Sequence, residues 1–130
     1  RGYVDADQTP VILHFGDHDP SGIDMTRDIT DRLEMFMGGA ELERLALNMD
    51  QVREYGPPPN PAKVTDSRYA GYMATYGGES WELDALEPSV LAALVRDFVM
   101  DRRDEGRWAE SVAEEDRCKA VLTETANNLR

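Results

Sequence analysis

A short apolar segment that ends in two aspartates and leads straight into a helix start constrains this chain more than any other feature. Residues 11–15 have the length and apolar character of a buried strand, and residues 16–22 form the loop after it. Asp17 and Asp19 are two positions apart, so in extended backbone their side chains project to the same side. Paired carboxylates suit Mg²⁺, and open α/β sheets bind ligands at the carboxyl ends of their strands. The segment therefore predicts metal-dependent phosphate chemistry.

The rest of the chain alternates strand and helix patterns. Ser21 and Asp24 fit a capping box, which places the first helix start near residue 22, and the proline-rich residues 56–61 predict an internal loop without regular structure. The apolar residues of the helix after Pro88 predict a buried stripe. Strands are predicted at residues 11–15, 41–47 and 80–86, and helices at 22–37, 48–55, 66–76, 88–103 and 108–127. This order favours a layered, Rossmann-like α/β domain with a partly parallel sheet.

Composition narrows the class of partner. The chain has 130 residues, enough for one domain with a core, and its 26 acidic against 14 basic residues give a net charge of −12. Such a surface repels nucleic acid, so binding to DNA would require metal ions and other domains or subunits to supply the attraction. The lone Cys118 excludes an internal disulfide framework and fits a cytoplasmic protein. No apolar run approaches the ~20 residues that span a bilayer, so we expect no membrane contact.

One family likeness rests on the residues around the two aspartates. Between an apolar strand and a helix, the chain reads Gly16-Asp17-His18-Asp19-Pro20-Ser21-Gly22, which resembles the Asp-x-Asp-Pro-x-Gly motif of Toprim domains. The most similar variant is that of the topoisomerase VI A subunit and the related meiotic double-strand-break protein. Further on, Trp81-Glu82-Leu83-Asp84-Ala85-Leu86 resembles the Glu-x-x-Ala-Leu strand of that variant. The likeness covers residues 11–86, and the layout is also similar to phage and actinobacterial proteins described as Toprim-like.

The resemblance implies a Mg²⁺ site, with Mn²⁺ as a substitute, formed by Asp17, Asp19 and a glutamate on an earlier strand. A parallel crossover needs about a dozen residues or more, whereas only ten precede residue 11. We therefore expect that glutamate upstream of Arg1, which makes residues 1–130 a single Toprim-like domain without its glutamate strand. Residues 104–130 would form a C-terminal acidic helix. The nucleophilic tyrosine of such enzymes lies on a separate domain, so no tyrosine here is assigned that role.

Four other residues are candidates for the same chemistry. We predict catalytic roles for Lys63, which follows the stiff proline-rich loop, and for Glu82, which would bring an additional acid near the metal. Lys63, Arg68 and His18 are candidates for contact with a substrate phosphate, since guanidinium groups in particular bind phosphate through paired hydrogen bonds. His14, in contrast, alternates with core positions and is interpreted as a structural residue of the strand.

Three functions remain open at this point. The first is a Mg²⁺-dependent Toprim domain of a DNA-processing protein, which cleaves and rejoins strands or acts as a nuclease, with a homodimer as one conceivable assembly. The second is a phosphatase similar to the haloacid dehalogenases, although Pro20-Ser21-Gly22 follows the aspartates here instead of the Gly-Thr such enzymes favour. The third is a non-catalytic interaction domain. A generic phosphoester assay separates the second from the first, and a Mg²⁺ or Mn²⁺ titration separates the third.

Overall fold

The computed structural model describes residues 8–128 and shows a mixed α/β chain that is 61% helical. The outermost residues of the predicted domain 1–130 and of the predicted acidic helix 104–130 lie outside this range. In chain order the elements are β1 Val11–Phe15, α1 Pro20–Phe36, β2 Glu41–Ala46, α2 Met49–Tyr55, β3 Asn60–Pro61, α3 Tyr69–Tyr76, β4 Glu79–Ser80, a 3₁₀ turn Leu83–Ala85, α4 Pro88–Arg102 and α5 Glu105–Asn128. The first two predicted strands and all five predicted helices are confirmed, with ends displaced by up to three residues.

β1 and β2 form a parallel pair, and α1 is the crossover between them. Val11 lies opposite Glu41, and a bulge interrupts the register between His14 and Phe15. The pairing continues past the bulge, because Gly16 donates its N–H to the Ala46 carbonyl at 2.9 Å. The predicted α/β fold with a partly parallel sheet is thereby confirmed in part: in the described residues, the parallel sheet has two strands.

A second small sheet corrects two predictions. β3 pairs antiparallel with β4, so the proline-rich segment is regular at its end, where Asn60 lies opposite Ser80. The predicted strand over residues 80–86 is wrong beyond Trp81, which forms an isolated bridge with His18. Past that bridge the chain turns into the 3₁₀ segment, because the Leu83 N–H bonds to a distant carboxylate and not to a neighbouring strand.

The core lies between the parallel pair, α2 and the segment after β4. Phe15 and Met49 pack against it, as do residues of the first half of α4. The predicted buried stripe of α4 is wrong: Val90, Leu91 and Leu94 are only partly buried against the core, and Val95 and Val99 are 37% and 48% exposed. The buried cluster consists of Ala46, Leu47, Val52, Trp81 and Leu86. This arrangement leaves the end of β1 anchored to the core from two sides, by β2 and by Trp81.

The chain divides into two compact units, with the boundary between Val95 and Arg96. In the second unit, Asp104 caps α5 by accepting the Arg107 N–H at 3.0 Å, and the Arg103 guanidinium lies 4.8 Å from the Trp108 ring centroid. All residues of α5 are exposed. Among residues 8–128, no helix combines the length and the apolar character that crossing a membrane requires.

Candidate metal centre

The two predicted metal ligands lie in the turn that joins β1 to α1. Asp17 accepts the Leu83 N–H at 2.8 Å through Oδ1, which ties the turn to the segment after β4. Asp19 caps α1, because its Oδ1 accepts the Gly22 N–H at 2.6 Å. The predicted capping box of Ser21 and Asp24 is therefore wrong. An aspartate is as good an N-cap as a serine, and Pro20 at the first helical position places the cap one residue before it.

Each aspartate accepts its backbone hydrogen bond through one oxygen. Both of these bonds go to Oδ1, so the backbone N–H groups leave Oδ2 of Asp17 and of Asp19 to other partners. A carboxylate that is fixed by a backbone amide through one oxygen presents the other in a defined direction. This is a suitable arrangement for monodentate binding of a cation.

The chain fold brings Glu82 close to Asp17. The negative charge of Asp17 is the main cause of a raised pKa at Glu82, followed by partial burial, a hydrogen bond with Asp17, and the charges of Asp19 and Asp84. The Glu82 carboxyl therefore lies beside Asp17, although the two residues are 65 positions apart in the sequence. Neighbouring carboxylates repel each other, and a bound divalent cation removes that repulsion because it is the largest local charge.

The donor set fits a partly open Mg²⁺ site. In the part of the chain that the structure describes, no three His, Cys, Asp or Glu side chains are arranged to hold an ion unaided. Mg²⁺ does not require such a cage, because it usually keeps several waters and binds one or two carboxylates together with substrate phosphates. Asp17 and Asp19 supply two carboxylates from one turn, so the residues present are compatible with this ion.

His18 lies in the interior between the two aspartates. It is 2% exposed, and its backbone forms both hydrogen bonds of a bridge with Trp81, at 2.8 and 3.0 Å. Its Nδ1 is 2.8 Å from the Tyr72 hydroxyl, and its ring meets Tyr76 edge-on at 4.7 Å. In this position His18 anchors the turn to the core. Its buried side chain cannot contact a substrate phosphate in this arrangement, so the predicted phosphate contact of His18 is wrong. Burial, with a contribution from the Asp19 charge, also raises the pKa of Tyr72 to about 12.

Burial of the histidines predicts a pH-dependent stability. It lowers the pKa of both His18 and His14 below the ordinary value near 6.5, and the Arg44 charge adds to this in each case. Below pH 6.5 the histidines of the unfolded chain bind protons, whereas those of the folded chain do not until the pH reaches their lowered pKa. The free energy of unfolding is therefore largest above pH 6.5 and falls as the pH drops through the lowered pKa values. Each histidine contributes a slope of at most about 1.4 kcal/mol per pH unit.

This expectation can be measured by urea unfolding between pH 7.5 and pH 5. His18→Gln should be less stable than the wild type at every pH, but its stability should vary less over this range. Glu82 contributes with the opposite sign near the acid end, because its raised pKa favours folding at low pH, and this contribution cancels in the comparison. Equal pH profiles for both proteins would show that His18 does not titrate as its burial implies.

The remaining predicted residues lie away from the carboxylates or are engaged elsewhere. Lys63 is exposed and follows β3, whereas Glu82 follows β4. Because β3 and β4 run antiparallel, these two residues leave the ladder at opposite ends. Arg68 forms ion pairs with Asp24 at 2.8 Å and Asp66 at 3.2 Å. The structure thus brings Glu82 to Asp17, whereas within residues 8–128 neither Lys63 nor Arg68 forms an ion pair with Asp17, Asp19 or Glu82.

His14 and Arg44 complete the surroundings of the turn. His14 Nδ1 lies 3.0 Å from the Thr26 hydroxyl, which agrees with the structural role expected for this strand residue. Arg44 has no counterpart in the sequence-based prediction, yet its guanidinium contacts the carbonyls of the turn. A signal for it exists in the sequence, since Arg44 is the only basic residue of an otherwise apolar and acidic strand.

The comparisons with known proteins add no family to these observations. No protein-family model matches the chain, and neither a curated protein nor a solved structure matches it. The assignment of a function therefore depends on the geometry of the site and on the resemblance of its motif.

Proposed function

We propose that this chain is a Mg²⁺-dependent, Toprim-like domain that acts in phosphoryl transfer on DNA. The observation that carries the proposal is the meeting of Glu82 with Asp17 beside the capping Asp19, at the carboxyl end of a parallel strand. Ligand sites in open α/β sheets occupy this position. The hydrogen bonds of Asp19 and Asp17 account for a structural turn, but a third carboxylate at Glu82 adds only repulsion to it unless a cation is bound.

The chain's own groups would prepare the site in advance. The Leu83 and Gly22 amides hold Asp17 and Asp19 by hydrogen bonds of 2.8 and 2.6 Å, so that neither carboxylate has to be reoriented when the ion arrives. Such preorganisation is a main source of electrostatic stabilisation in active sites. When bound, a divalent cation would orient the phosphate and stabilise the charge that develops on its oxygens. A bound cation would favour the ionised form of Glu82, whose carboxylate would then contact the ion from the segment after β4.

The surface charge limits how DNA could be bound. With a net charge of −12, the chain would rely on the cation and on basic surfaces of other domains or subunits, a second copy included. Lys63 is exposed and forms no ion pair within the described range, which leaves it available to a phosphate backbone outside the immediate site. Arg68 could serve in this way only after giving up Asp24 and Asp66.

The proposal is tested by incubating the purified full-length protein with supercoiled and linear DNA and, separately, with a generic phosphoester. We expect nicking or cleavage of DNA that requires Mg²⁺ or Mn²⁺ and stops with a chelator. Hydrolysis of the phosphoester without effect on DNA would favour the phosphatase. Absence of both cation binding and reaction would favour a non-catalytic interaction domain, which the lack of a three-ligand group in residues 8–128 also supports.

A further inference from the structure

Arg44 lies behind the turn that carries the two aspartates. From the middle of β2, its Nη2 donates to the carbonyl oxygens of Gly16 at 2.8 Å and Asp17 at 2.7 Å. The same side chain reaches the Leu47 carbonyl, 3.4 Å from Nε and 3.2 Å from Nη2. The end of β1 and the end of β2 are thus joined through one guanidinium group.

The other side of this guanidinium binds the first turns of α1. Arg44 Nη1 donates to the Thr26 hydroxyl at 2.6 Å and to the Gly22 carbonyl at 3.1 Å. Guanidinium has five N–H groups, and the acceptors around Arg44 satisfy all five. No donor is therefore left for a phosphate or another anion. This excludes Arg44 as a substrate-binding residue in the arrangement observed.

Only arginine can hold these three segments at once. Its donors are fixed in a plane and point in five directions, whereas lysine offers three donors on a flexible stem. The carbonyls that Arg44 binds belong to Gly16 and Asp17, which precede the carboxylates, and to Gly22, whose N–H holds Asp19. The directions of both carboxylates consequently depend on the backbone that Arg44 fixes.

We infer that Arg44 is the positioning residue of the cation site, holding the backbone of the turn so that Asp17 and Asp19 present their second oxygens to one ion. The part of the inference that concerns the ion rests on the proposed function. The part that concerns the hydrogen bonds of Arg44 to the turn does not. A merely structural arginine would stabilise the fold and leave the two aspartates unaffected in the folded protein. A positioning arginine determines how firmly they are held and how tightly the ion binds.

The amide protons of Gly22 and Leu83 report this difference without any metal, because each donates to one of the aspartates. We expect both amides to exchange faster with solvent in Arg44→Met than in Val52→Ala, a core variant in α2 that serves as a control for lost stability. Arg44→Lys should resemble Arg44→Met, since it keeps the charge but loses the planar fork. Unchanged protection of both amides relative to Val52→Ala would overturn the inference.

A Mn²⁺ titration of the same proteins, under conditions where each is folded, tests the second half. Loss of residues that orient metal ligands typically weakens metal affinity about 10–100-fold, and we expect this for Arg44→Met and not for Val52→Ala. Equal affinities in both variants would contradict the inference. If the wild type binds no Mn²⁺, the proposed function and the cation role of Arg44 both fail, whereas the exchange data still decide whether Arg44 holds the turn.

Thr26→Val provides a milder variant in case Arg44→Met does not fold. It removes one acceptor of Arg44 and keeps the shape of the side chain. We expect the same changes in exchange and in Mn²⁺ affinity, smaller in size, and an unaltered affinity with normal protection would again count against the inference.

Discussion

Gly22→Ala is expected to destabilise the first unit by at least about 3 kcal/mol, at the upper end of what overpacking costs. A Cβ at this position would stand 2.2 Å from the Asp17 carbonyl oxygen and 3.2 Å from Asp19 Oδ1. The first of these is a backbone atom that Arg44 also holds, so it cannot move aside cheaply. The helix start would have to shift, and the cap of α1 would open with it. Urea or thermal unfolding measures the loss directly.

A matched control exists on another helix. Gly71 lies in α3, and an added Cβ there would meet nothing within 4 Å. Because alanine is the better helix former, Gly71→Ala should raise stability by about 0.5–1 kcal/mol. If Gly22→Ala were as harmless as Gly71→Ala, the close approach of α1 to the turn would be refuted, and the position of both carboxylates with it.

The double variant Asp17→Asn with Asp19→Asn is expected to remove the cation-dependent activity of the full-length protein while the fold persists. Asparagine caps helices as well as aspartate does, and its amide oxygen can still accept the Leu83 and Gly22 N–H groups. What disappears is the pair of negative charges. Loss of about 4 kcal/mol of electrostatic stabilisation corresponds to a rate lower by about a thousandfold. Circular dichroism checks that the fold persists, and the DNA cleavage assay measures the loss of activity.

The control for the charge change lies on the exposed side of α1. Asp28→Asn with Asp31→Asn also removes two negative charges, from side chains that form ion pairs with Arg32 and Arg27 on the surface. Exposed pairs contribute little to stability, and this variant should keep its full activity. Retained activity in the Asp17 and Asp19 variant, or an equal loss in the control, would contradict the assignment.

Local patterns in the sequence were sufficient for much of the scaffold. β1 is five residues long, apolar and bounded by Pro10 and Gly16, and the structure has it at the predicted positions. The capped helix after Asn48 and the helix after Pro88 begin where their cap and proline predict. The parallel pairing of β1 and β2 follows from an intervening helix long enough for a crossover. These features depend on neighbours in the sequence, which is why they can be predicted.

The parts that could not be predicted depend on distant contacts. Alternation around Leu83 suggested a strand, but its N–H bonds to Asp17, which is 66 positions away, and the chain turns instead. The same contact brings Glu82 to the site. A lone basic residue in β2 marks Arg44 as unusual, but no local pattern indicates the five acceptors from three segments that determine its role. Both cases are tertiary contacts that override the local preference of the chain.

The most direct test of a shared cation site is a Mn²⁺ titration of the chain, followed through the carboxyl and amide NMR signals of Asp17, Asp19 and Glu82. We predict that the signals of all three residues broaden together at the lowest Mn²⁺ concentrations, and that the Asp17→Asn, Asp19→Asn variant loses this effect. Broadening that appears first at other acidic residues, or equally throughout the surface, would contradict it.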